Sequence, residues 1–311
     1  MQGYHEPVLL GEVLNYLEVK KDSWYLDCTL GDGGHSLGIL KAGGNIVGLD
    51  VDPQALDRSK RRFEKEGIGK DRYKLIRGNF RDLKNLISRR EIVPRFIIQA
   101  ELKDQKFAGA IFDLGVSSLQ LDDPARGFSF SKKGPLDMRM DPNLSVKALD
   151  LLKVLSKKEL YEIFKNLGEE KYSWDLAAAL ERAGKVKAIS DTADLASLAE
   201  KVLGRRRERK IHPATRIFQA LRIAVNDELG ALKEGLDQIK DLIQSNGCIL
   251  VISFHSLEDR IVKNFFREWQ DKGLGEVLTK KPIAPSDDEI RENPRGRSAK
   301  LRVFEIKHYD N

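Results

Sequence analysis

Short apolar runs alternate with segments of helical periodicity along most of this chain, and this alternation constrains the fold more than any other feature. The runs begin at Trp24, Ile46, Lys74, Phe107 and Cys248. Strand-like runs separated by helices are typical of a parallel sheet with helices on its faces. The last run, residues 248–254, is apolar almost throughout, as expected of a strand buried on both faces. The sequence therefore predicts an α/β fold with a mostly parallel sheet.

More than a hundred residues separate the fourth run from the fifth, which is far longer than an ordinary crossover connection. The pattern inside this gap is helical: residues 156–159 form a capping box, and another helix is expected after Asp191. We interpret residues 136–212 as a small all-helical domain. It is inserted into a sheet domain made of residues 1–135 and 213–311.

The end of the gap predicts one long helix that leads into the fifth strand. Its apolar residues recur at three- and four-residue steps from Leu221 to Ile243, and Asn246-Gly247 supplies a stop signal. Two antiparallel strands are expected after the fifth strand, one near Val277 and one at residues 301–306.

Composition excludes several classes of protein for this 311-residue chain. Hydrophobic residues make up 41% and charged residues 33%, too apolar for a disordered chain and too polar for a membrane protein. The two cysteines and five histidines never approach the spacing of a metal site, so we expect no metal. Without a signal peptide or a disulfide framework, a cytoplasmic protein away from membranes is expected. The net charge of +6 permits a polyanionic partner without requiring one.

A glycine-rich turn follows the first apolar run. The chain leaves a strand, passes through Gly31, Gly33 and Gly34, and enters a helix near His35. Glycines let a ligand approach the backbone closely, and a helix start offers free N–H donors. Asp50 lies 19 residues after Gly31 at the end of the next run, where a carboxylate can accept hydrogen bonds from ribose hydroxyls. Together these features predict a nucleoside ligand.

The residues around the turn narrow the choice of nucleoside. The turn lacks the Gly-x-Gly-x-x-Gly pattern of dinucleotide sites, and no Walker lysine follows it. Asp27 suits an ammonium group or turn amides better than a pyrophosphate. S-adenosylmethionine is neutral to cationic around its reacting centre, so it is compatible with these carboxylates. Phe80 could flank the adenine ring, and ordinary core packing of this side chain stays open.

Asp113 ends the fourth run, at the edge where open α/β sheets bind their ligands. We expect its carboxylate at the reaction centre, with a structural cap on the following turn as the alternative. In methyl transfer to an aromatic amine, a group that accepts the amine N–H localises the nitrogen lone pair. Asp113, a backbone carbonyl or a serine hydroxyl such as that of Ser117 could serve. Cys28 and Cys248 lie in apolar runs, which argues against cysteine-based carbon methylation and for a nitrogen or oxygen acceptor.

Several long motifs, all in one order, resemble the RsmH (MraW) family of bacterial methyltransferases. They are residues 5–10 (HEPVLL), 27–36 (DCTLGDGGHS), 113–118 (DLGVSS), 120–123 (QLDD), 126–130 (RGFSF), 134–141 (GPLDMRMD), 212–216 (HPATR), 253–260 (SFHSLEDR) and 292–295 (ENPR). The resemblance spans almost the whole chain. It implies a Rossmann-like class I methyltransferase fold interrupted by a helical domain. It also implies methylation of N4 of one cytidine in 16S ribosomal RNA, near the decoding centre.

The resemblance further implies which residues bind S-adenosylmethionine. They are Gly33, Gly34, His35, Asp50, Phe80, Asp113 and Gln120. Three positions depart from the family pattern: Leu119 replaces a proline, Ile211 a basic residue and Gly296 an alanine. The first could shift the loop that carries Gln120, and the second weakens any phosphate contact at that position.

Two basic clusters are the expected RNA contacts, although runs of charge are more often solvated surfaces. Arg205, Arg206 and Arg207 form the first, and Arg295 and Arg297 belong to the second.

The target cytidine must also be unstacked and turned into the site. Phe128, Phe130 and Arg139 are candidates to replace its stacking, and core packing is the alternative for either phenylalanine. His255, at the end of the fifth run, could contact the substrate or bond to its own loop.

Three functions therefore stay open from the residues themselves. The first is an RNA cytidine N4-methyltransferase that acts on the small ribosomal subunit or its 16S RNA. The second is a methyltransferase for a small-molecule or protein amine, and the third is a non-catalytic RNA-binding protein. A homodimer also stays open.

Overall fold

The computed structural model describes residue 4 and residues 6–88, 106–185, 189–204 and 212–307. The chain divides into two compact units. Met1–Gly115 and Leu229–Asn311 form what we call the sheet unit, and Val116–Glu228 form the helical unit.

The described strands of the sheet unit form one sheet. They are β1 (Trp24–Asp27), β2 (Asn45–Asp50), β3 (Tyr73–Arg77), β4 (Phe107–Asp113), β5 (Ile243–Ser253), β6 (Gly275–Val277) and β7 (Lys300–Ile306). Their order is β3-β2-β1-β4-β5-β7-β6. β1 to β5 are parallel, and β7 runs antiparallel to both of its neighbours. The predicted α/β fold with a mostly parallel sheet is thereby confirmed, as are the two late antiparallel strands.

The described helices are distributed over both units. They are α1 (Leu10–Leu17), α2 (Gly34–Lys41), α3 (Pro53–Lys65), α4 (Leu83–Ile87), α5 (Ser118–Asp122), α6 (Ala148–Val154), α7 (Lys157–Asn166), α8 (Ser173–Lys185), α9 (Thr192–Leu203), α10 (Thr215–Asn226), α11 (Glu228–Ile239), α12 (Ser256–Asp271) and α13 (Asp287–Glu292). α5 to α10 belong to the helical unit.

Alternation along the strands sends side chains into two separate apolar cores. In β1, Trp24 and Leu26 pack in a core that also contains Leu236 of α11. Tyr25, between them in sequence, packs in the other core with Leu17 of α1. Successive side chains of a strand point to opposite faces, so helices cover both faces of this sheet. Its ligand-binding surface is therefore left to the strand ends and the loops that follow them.

The helical unit is larger than the predicted insertion of residues 136–212, since it comprises Val116–Glu228. Its core explains the difference. Phe128, which precedes the predicted insertion, and Ile217 and Leu221, which follow it, pack with Leu160 and Leu195 in one buried cluster. Apolar periodicity locates helices along the chain, but it does not tell which core a flanking segment joins.

The predicted long helix is wrong, because two helices occupy this part of the chain. α10 ends at Asn226, and Asp227 has a left-handed backbone with φ +47° before α11 begins. Aspartate tolerates this conformation, which ends a helix without interrupting the apolar spacing on either side. Asn246-Gly247 lies inside β5 rather than after a helix, near a shift of register between β4 and β5.

In the part of the chain that the structure describes, no helix has the length and apolar character needed to cross a membrane.

Candidate active site

Three aspartates end three neighbouring strands at one edge of the sheet. Asp27 is the last residue of β1, Asp50 of β2 and Asp113 of β4. β1 and β4 lie side by side, and the chain continues from β1 toward β2 on one side and from β4 toward β5 on the other. The carboxyl ends of the strands at such a switch point are where open α/β sheets bind ligands. Carboxylates therefore dominate the predicted ligand edge.

The glycine turn between β1 and α2 needs its glycines for both conformation and space. Gly33 has φ +69°, in the left-handed region that favours glycine. A Cβ at this position would lie 2.8 Å from Cζ of Phe63 on α3. A Cβ on Gly34 would lie 3.0 Å from Pro7. The turn is therefore packed tightly from behind by α3 and by the N-terminal segment.

The carboxylate of Asp50 is held by two backbone N–H groups. Gly31 donates to Oδ2 at 2.9 Å, and Asp52 donates to Oδ1 at 2.8 Å. Burial raises the pKa of Asp50 to about 6. These two bonds fix the orientation of the Asp50 carboxylate beside the glycine turn. The predicted contact of Asp50 with ribose hydroxyls stays a prediction.

Asp27 joins the end of β1 to the start of α2. Its Oδ2 accepts a hydrogen bond from the Ser36 hydroxyl at 2.7 Å, and its Oδ1 accepts one from the Thr29 N–H at 3.1 Å. The side chain is 2% exposed, and this burial raises its pKa. Asp27 therefore fixes the shape of the glycine turn from inside the sheet.

Asp113 lies beside the buried imidazole of His35. His35 Nε2 is 3.5 Å from Asp113 Oδ2, and the Asp113 N–H donates to the Thr29 hydroxyl at 2.6 Å. Both ring nitrogens of His35 and Oδ1 of Asp113 are buried without a hydrogen-bond partner among the described residues. Buried polar atoms are normally paired, so these three atoms point to a bound group that carries polar atoms of its own.

S-adenosylmethionine fits this set of residues. Its ribose hydroxyls and ammonium group are donors, its carboxylate is an acceptor, and its sulfonium is cationic beside the strand-end aspartates. The unpaired ring nitrogens of His35 supply partners for such groups, and the glycine turn lets a ligand approach the backbone. The predicted contact of Asp113 with the cofactor stays a prediction.

Phe80 follows β3 and begins a short 3-10 turn that the Asn79 side chain caps. Its ring meets Phe112 edge-on at 5.5 Å between centroids, and it packs so closely on α11 that a Cβ on Gly235 would lie 2.8 Å from it. The core interpretation therefore accounts for part of this ring. Because the residue is only partly buried, contact with adenine stays a prediction.

Ser117 and Gln120 belong to the helical unit, where they form the capping box of α5. The Gln120 N–H donates to the Ser117 hydroxyl at 3.3 Å, and the Ser117 N–H donates to the Gln120 side chain at 3.2 Å. Their predicted roles toward substrate and cofactor stay predictions.

His255 caps the long helix α12. Its Nδ1 accepts the N–H of Glu258 at 3.4 Å, while the Glu258 carboxylate accepts the N–H of His255 at 3.3 Å. The loop-bonding alternative accounts for Nδ1 of this side chain, which is 9% exposed. Nε2 is buried without a hydrogen-bond partner among the described residues, so contact of His255 with the substrate stays a prediction.

Among the predicted RNA-binding residues, Arg139 is engaged within the helical unit. Its Nε and Nη2 donate to the Asp137 carboxylate at 2.7 and 2.8 Å, and its Nη1 donates to the carbonyls of Pro142 and Leu144. Arg295 and Arg297 are exposed on a 3-10 turn after α13.

The other predicted RNA contacts stay predictions. Arg205, Arg206 and Arg207 lie outside the described residues. Phe128 is 6% exposed in the helical core. Phe130 stacks on the His212 ring at 4.4 Å between centroids. Packing inside the unit thus occupies both phenylalanines.

Both cysteines are poor nucleophiles. Burial raises the pKa of Cys28 well above its usual value and that of Cys248 to about 12. A thiol that stays protonated cannot attack a pyrimidine ring, which agrees with the argument against cysteine-based carbon methylation.

Sequence reasoning missed the residues that support the turn from the side. Arg58 of α3 donates two hydrogen bonds, of 2.8 and 3.0 Å, to the carboxylate of Asp32, and the Ser59 hydroxyl donates to the Gly31 carbonyl at 2.8 Å. Thr29 was also missed as the link to Asp113. The spacing of Arg58 and Ser59 on α3 gave no signal, because their partners lie more than 20 residues away in sequence.

Comparison with known proteins tests the family resemblance. The model of the MraW methylase family matches residues 2–307. The chain is 42% identical to "Ribosomal RNA small subunit methyltransferase H" of Carboxydothermus hydrogenoformans, over 98% of both chains. It is 44% identical to the protein of that name from Persephonella marina, over 96% of this chain and 98% of the relative. The family resemblance seen in the motifs is confirmed: the chain belongs to the MraW methylase family.

Proposed function

We propose that this chain transfers the methyl group of S-adenosylmethionine to N4 of a cytidine in the 16S RNA of the small ribosomal subunit. Relatives that are 42 to 44% identical along nearly the whole chain carry the name of ribosomal RNA small subunit methyltransferases, which supports an RNA substrate. The observation that carries the proposal is the buried imidazole of His35 next to the partly exposed carboxylate of Asp113, beside the glycine turn and with polar atoms left for a ligand.

The sheet unit holds the cofactor. Asp50 accepts hydrogen bonds from the ribose hydroxyls, and His35 offers its ring nitrogens to the polar groups of the ligand. Gly33 and Gly34 keep the backbone open to it, and Phe80 borders the adenine. When bound, S-adenosylmethionine supplies a methyl group on a positively charged sulfur.

Asp113 orients the acceptor. Its Oδ1 accepts a hydrogen bond from the exocyclic amine of cytosine and so directs the nitrogen lone pair out of conjugation with the ring. Much of the catalysis then comes from positioning, because an in-line displacement needs the acceptor nitrogen held close to the methyl carbon. We assign Arg139 to a structural role, because it holds its own loop through Asp137.

Labelled methyl transfer tests the proposal. Purified protein is incubated with unmethylated small subunits and methyl-labelled S-adenosylmethionine, and the RNA is digested to nucleosides. We expect the label in N4-methylcytidine. Label in another nucleoside, a protein or a small molecule would point to a different methyltransferase, and cofactor binding without any transfer would point to a non-catalytic RNA-binding protein.

The partner in this proposal is the small subunit or its 16S RNA, and the place of action is the cytoplasm, where ribosomes are assembled. A homodimer stays a prediction that sedimentation of the purified chain would check.

A further inference from the structure

Away from the site described above, the helical unit carries a surface on which lysines and aromatic rings alternate. α7 presents Lys157, Tyr161 and Lys165 at intervals of four residues, which places them on one face of the helix. Trp174 of α8 meets Tyr161 edge-on, with 5.3 Å between ring centroids. We call these four residues the lysine–aromatic stripe.

The tryptophan of the stripe is unusual in its exposure. The Trp174 side chain is 52% exposed, whereas Trp24 and Trp269 are 9% and 3% exposed in the sheet unit. A large aromatic ring on the surface is well suited to stack on a flat partner, since every nucleobase has a π-face. Exposure alone is common, so the argument depends on what surrounds the ring.

Cations surround the rings of the stripe. Lys157 Nζ lies 3.9 Å from the centre of the Trp174 ring, and Lys165 Nζ lies 5.2 Å from the centre of the Tyr161 ring. Within the described residues, neither lysine forms an ion pair at 4 Å or less. A hydrogen bond to Tyr161 and the nearby charge of Glu162 raise the pKa of Lys165, which therefore stays cationic. Two glutamates of the same helix are engaged locally. Glu159 completes the capping box with Ser156, and Glu162 accepts a hydrogen bond from Asn166 at 3.0 Å.

We infer that the lysine–aromatic stripe is a second RNA contact, which binds an unpaired stretch of the ribosomal RNA substrate. Bases stack on Trp174, and the ammonium groups of Lys157 and Lys165 bind the flanking phosphates. When a base stacks on Trp174, it displaces the Lys157 ammonium from the face of that ring, and the ammonium binds a phosphate instead. One cation–π contact is thereby replaced by a stacking contact and an ion pair. The inference rests on the proposed function, because it takes RNA as the substrate.

Fluorescence tests the contact directly, because Trp174 is the exposed member of the three tryptophans of the chain. Acrylamide quenching is measured with and without a synthetic RNA oligonucleotide that carries the target cytidine and its neighbours. We expect saturating RNA to protect the wild-type protein from quenching and to leave Trp174→Phe unaffected. Unchanged quenching of the wild type would overturn the inference. Protection that grows with protein concentration in the absence of RNA would also overturn it, in favour of a contact between copies of the chain.

Steady-state kinetics adds a functional test. Trp174→Ala and the double variant Lys157→Gln with Lys165→Gln should each raise KM for small subunits about tenfold, the scale expected from lost stacking or phosphate contacts. The values of kcat and of KM for S-adenosylmethionine should stay unchanged, and Trp174→Phe should restore most of the lost affinity. Lys201→Gln, an exposed lysine in the last turn of α9, is the control and should leave KM unchanged.

The outcomes separate this inference from the proposed function. Wild-type transfer to RNA with unaltered KM in the stripe variants would contradict the stripe and leave the proposed function standing. If the wild-type protein transfers no methyl group to RNA, the proposed function fails and the stripe loses its substrate.

Discussion

At the scale of single residues, Asp113 is the side chain on which the proposed chemistry depends most. Asp113→Asn keeps the size of the side chain but removes its negative charge and replaces one acceptor oxygen with a donor, so the amine N–H meets a weaker acceptor. We expect kcat to fall by about a hundredfold or more, the usual scale for a lost general acid–base contact. Single-turnover methyl transfer with saturating cofactor measures this. Thermal unfolding is the control for the fold, and a near wild-type rate would remove Asp113 from the mechanism.

Asp50 should make cofactor binding depend on pH. Burial raises its pKa to about 6, so the Asp50 carboxylate of the ligand-free protein becomes protonated as the pH falls from 7 to 5. If the ribose hydroxyls need the ionised form, the Kd for S-adenosylmethionine should be about tenfold higher at pH 5 than at pH 7. Calorimetry over this range measures the change.

The contribution of Asp50 to folding stability changes with pH in the opposite direction to its contribution to cofactor binding. The two effects can therefore be distinguished. A raised carboxyl pKa favours the folded state below the unfolded-state value near 4, and this contribution is lost as the pH rises through about 6. Weaker binding at pH 5 therefore does not come from Asp50 destabilising the fold. Asp50→Asn should bind weakly with little dependence on pH, and a flat Kd for the wild type would contradict the role of this carboxylate.

Residues at strand ends were predictable, and their partners were not. The positions of Asp50 and Asp113 at the ligand-binding edge were predictable because each residue ends an apolar run, and the carboxyl ends of parallel strands lie at one edge of the sheet. Thr29 bonds to Asp113 only because β1 and β4 are neighbours, a strand order that no local pattern encodes. The cap formed by His255 with Glu258 has the spacing of a capping box, so its signal was present in the sequence.

At the scale of elements, the glycine turn should fail through packing as well as backbone strain. Gly33→Ala puts a methyl group 2.8 Å from the buried ring of Phe63 at a backbone φ of +69°. Gly67→Ala is the matched control, because Gly67 has φ +73° but nothing within 4 Å of an added Cβ. Left-handed strain alone costs roughly 1–2 kcal/mol, so both variants should lose that much unfolding free energy.

Gly33→Ala should lose at least about 1 kcal/mol more than the control, on the scale of an overpacked core, and should bind the cofactor more weakly. Chemical denaturation and calorimetry measure the two effects. Equal losses in the two variants would show that α3 does not pack the turn as closely as the structure has it.

The break between α10 and α11 shows where periodicity stops being informative. Leu221, Val225, Leu229 and Leu232 keep helical spacing across Asp227, because each of the two helices buries its own apolar side. The two helices are separated by one residue with a left-handed backbone, Asp227. An aspartate in a sequence predicts such a helix end only weakly. Helices were thus predictable here, and their number was not.

At the scale of the whole molecule, RNA affinity should depend on salt through the predicted basic clusters. Each phosphate contact that is lost lowers the slope of log K against log salt by roughly 0.7–0.9. We therefore expect Arg295→Gln with Arg297→Gln to lower the slope by about 1.4–1.8, and the triple alanine variant of Arg205, Arg206 and Arg207 to lower it further. Arg291→Gln is the control, since this exposed arginine pairs with Asp288 at 3.2 Å. An unchanged slope would show that the arginines replaced in that variant face solvent and do not contact the RNA phosphates.

The class of fold and the family followed from the sequence, whereas the extent of the helical unit did not. Alternating strands and helices leave few choices for the sheet, and long motifs identify the family. The boundary near residue 116 depends on Phe128 and Leu136 joining a core with Ile217, and such a contact across 80 residues leaves no periodic trace.

The burial of the two cysteines has a practical consequence for handling this protein. Cys28 follows β1 directly and Cys248 lies within β5, and β4 separates these two strands in the sheet. Cys28 is 2% exposed and Cys248 is 8% exposed, so both sulfurs should react slowly with an alkylating reagent while the sheet is closed. The rates at which the two cysteines are alkylated would therefore report on opening of the sheet. Equal rates would indicate that the sheet unfolds cooperatively. A ligand that stabilises the sheet unit should lower both rates.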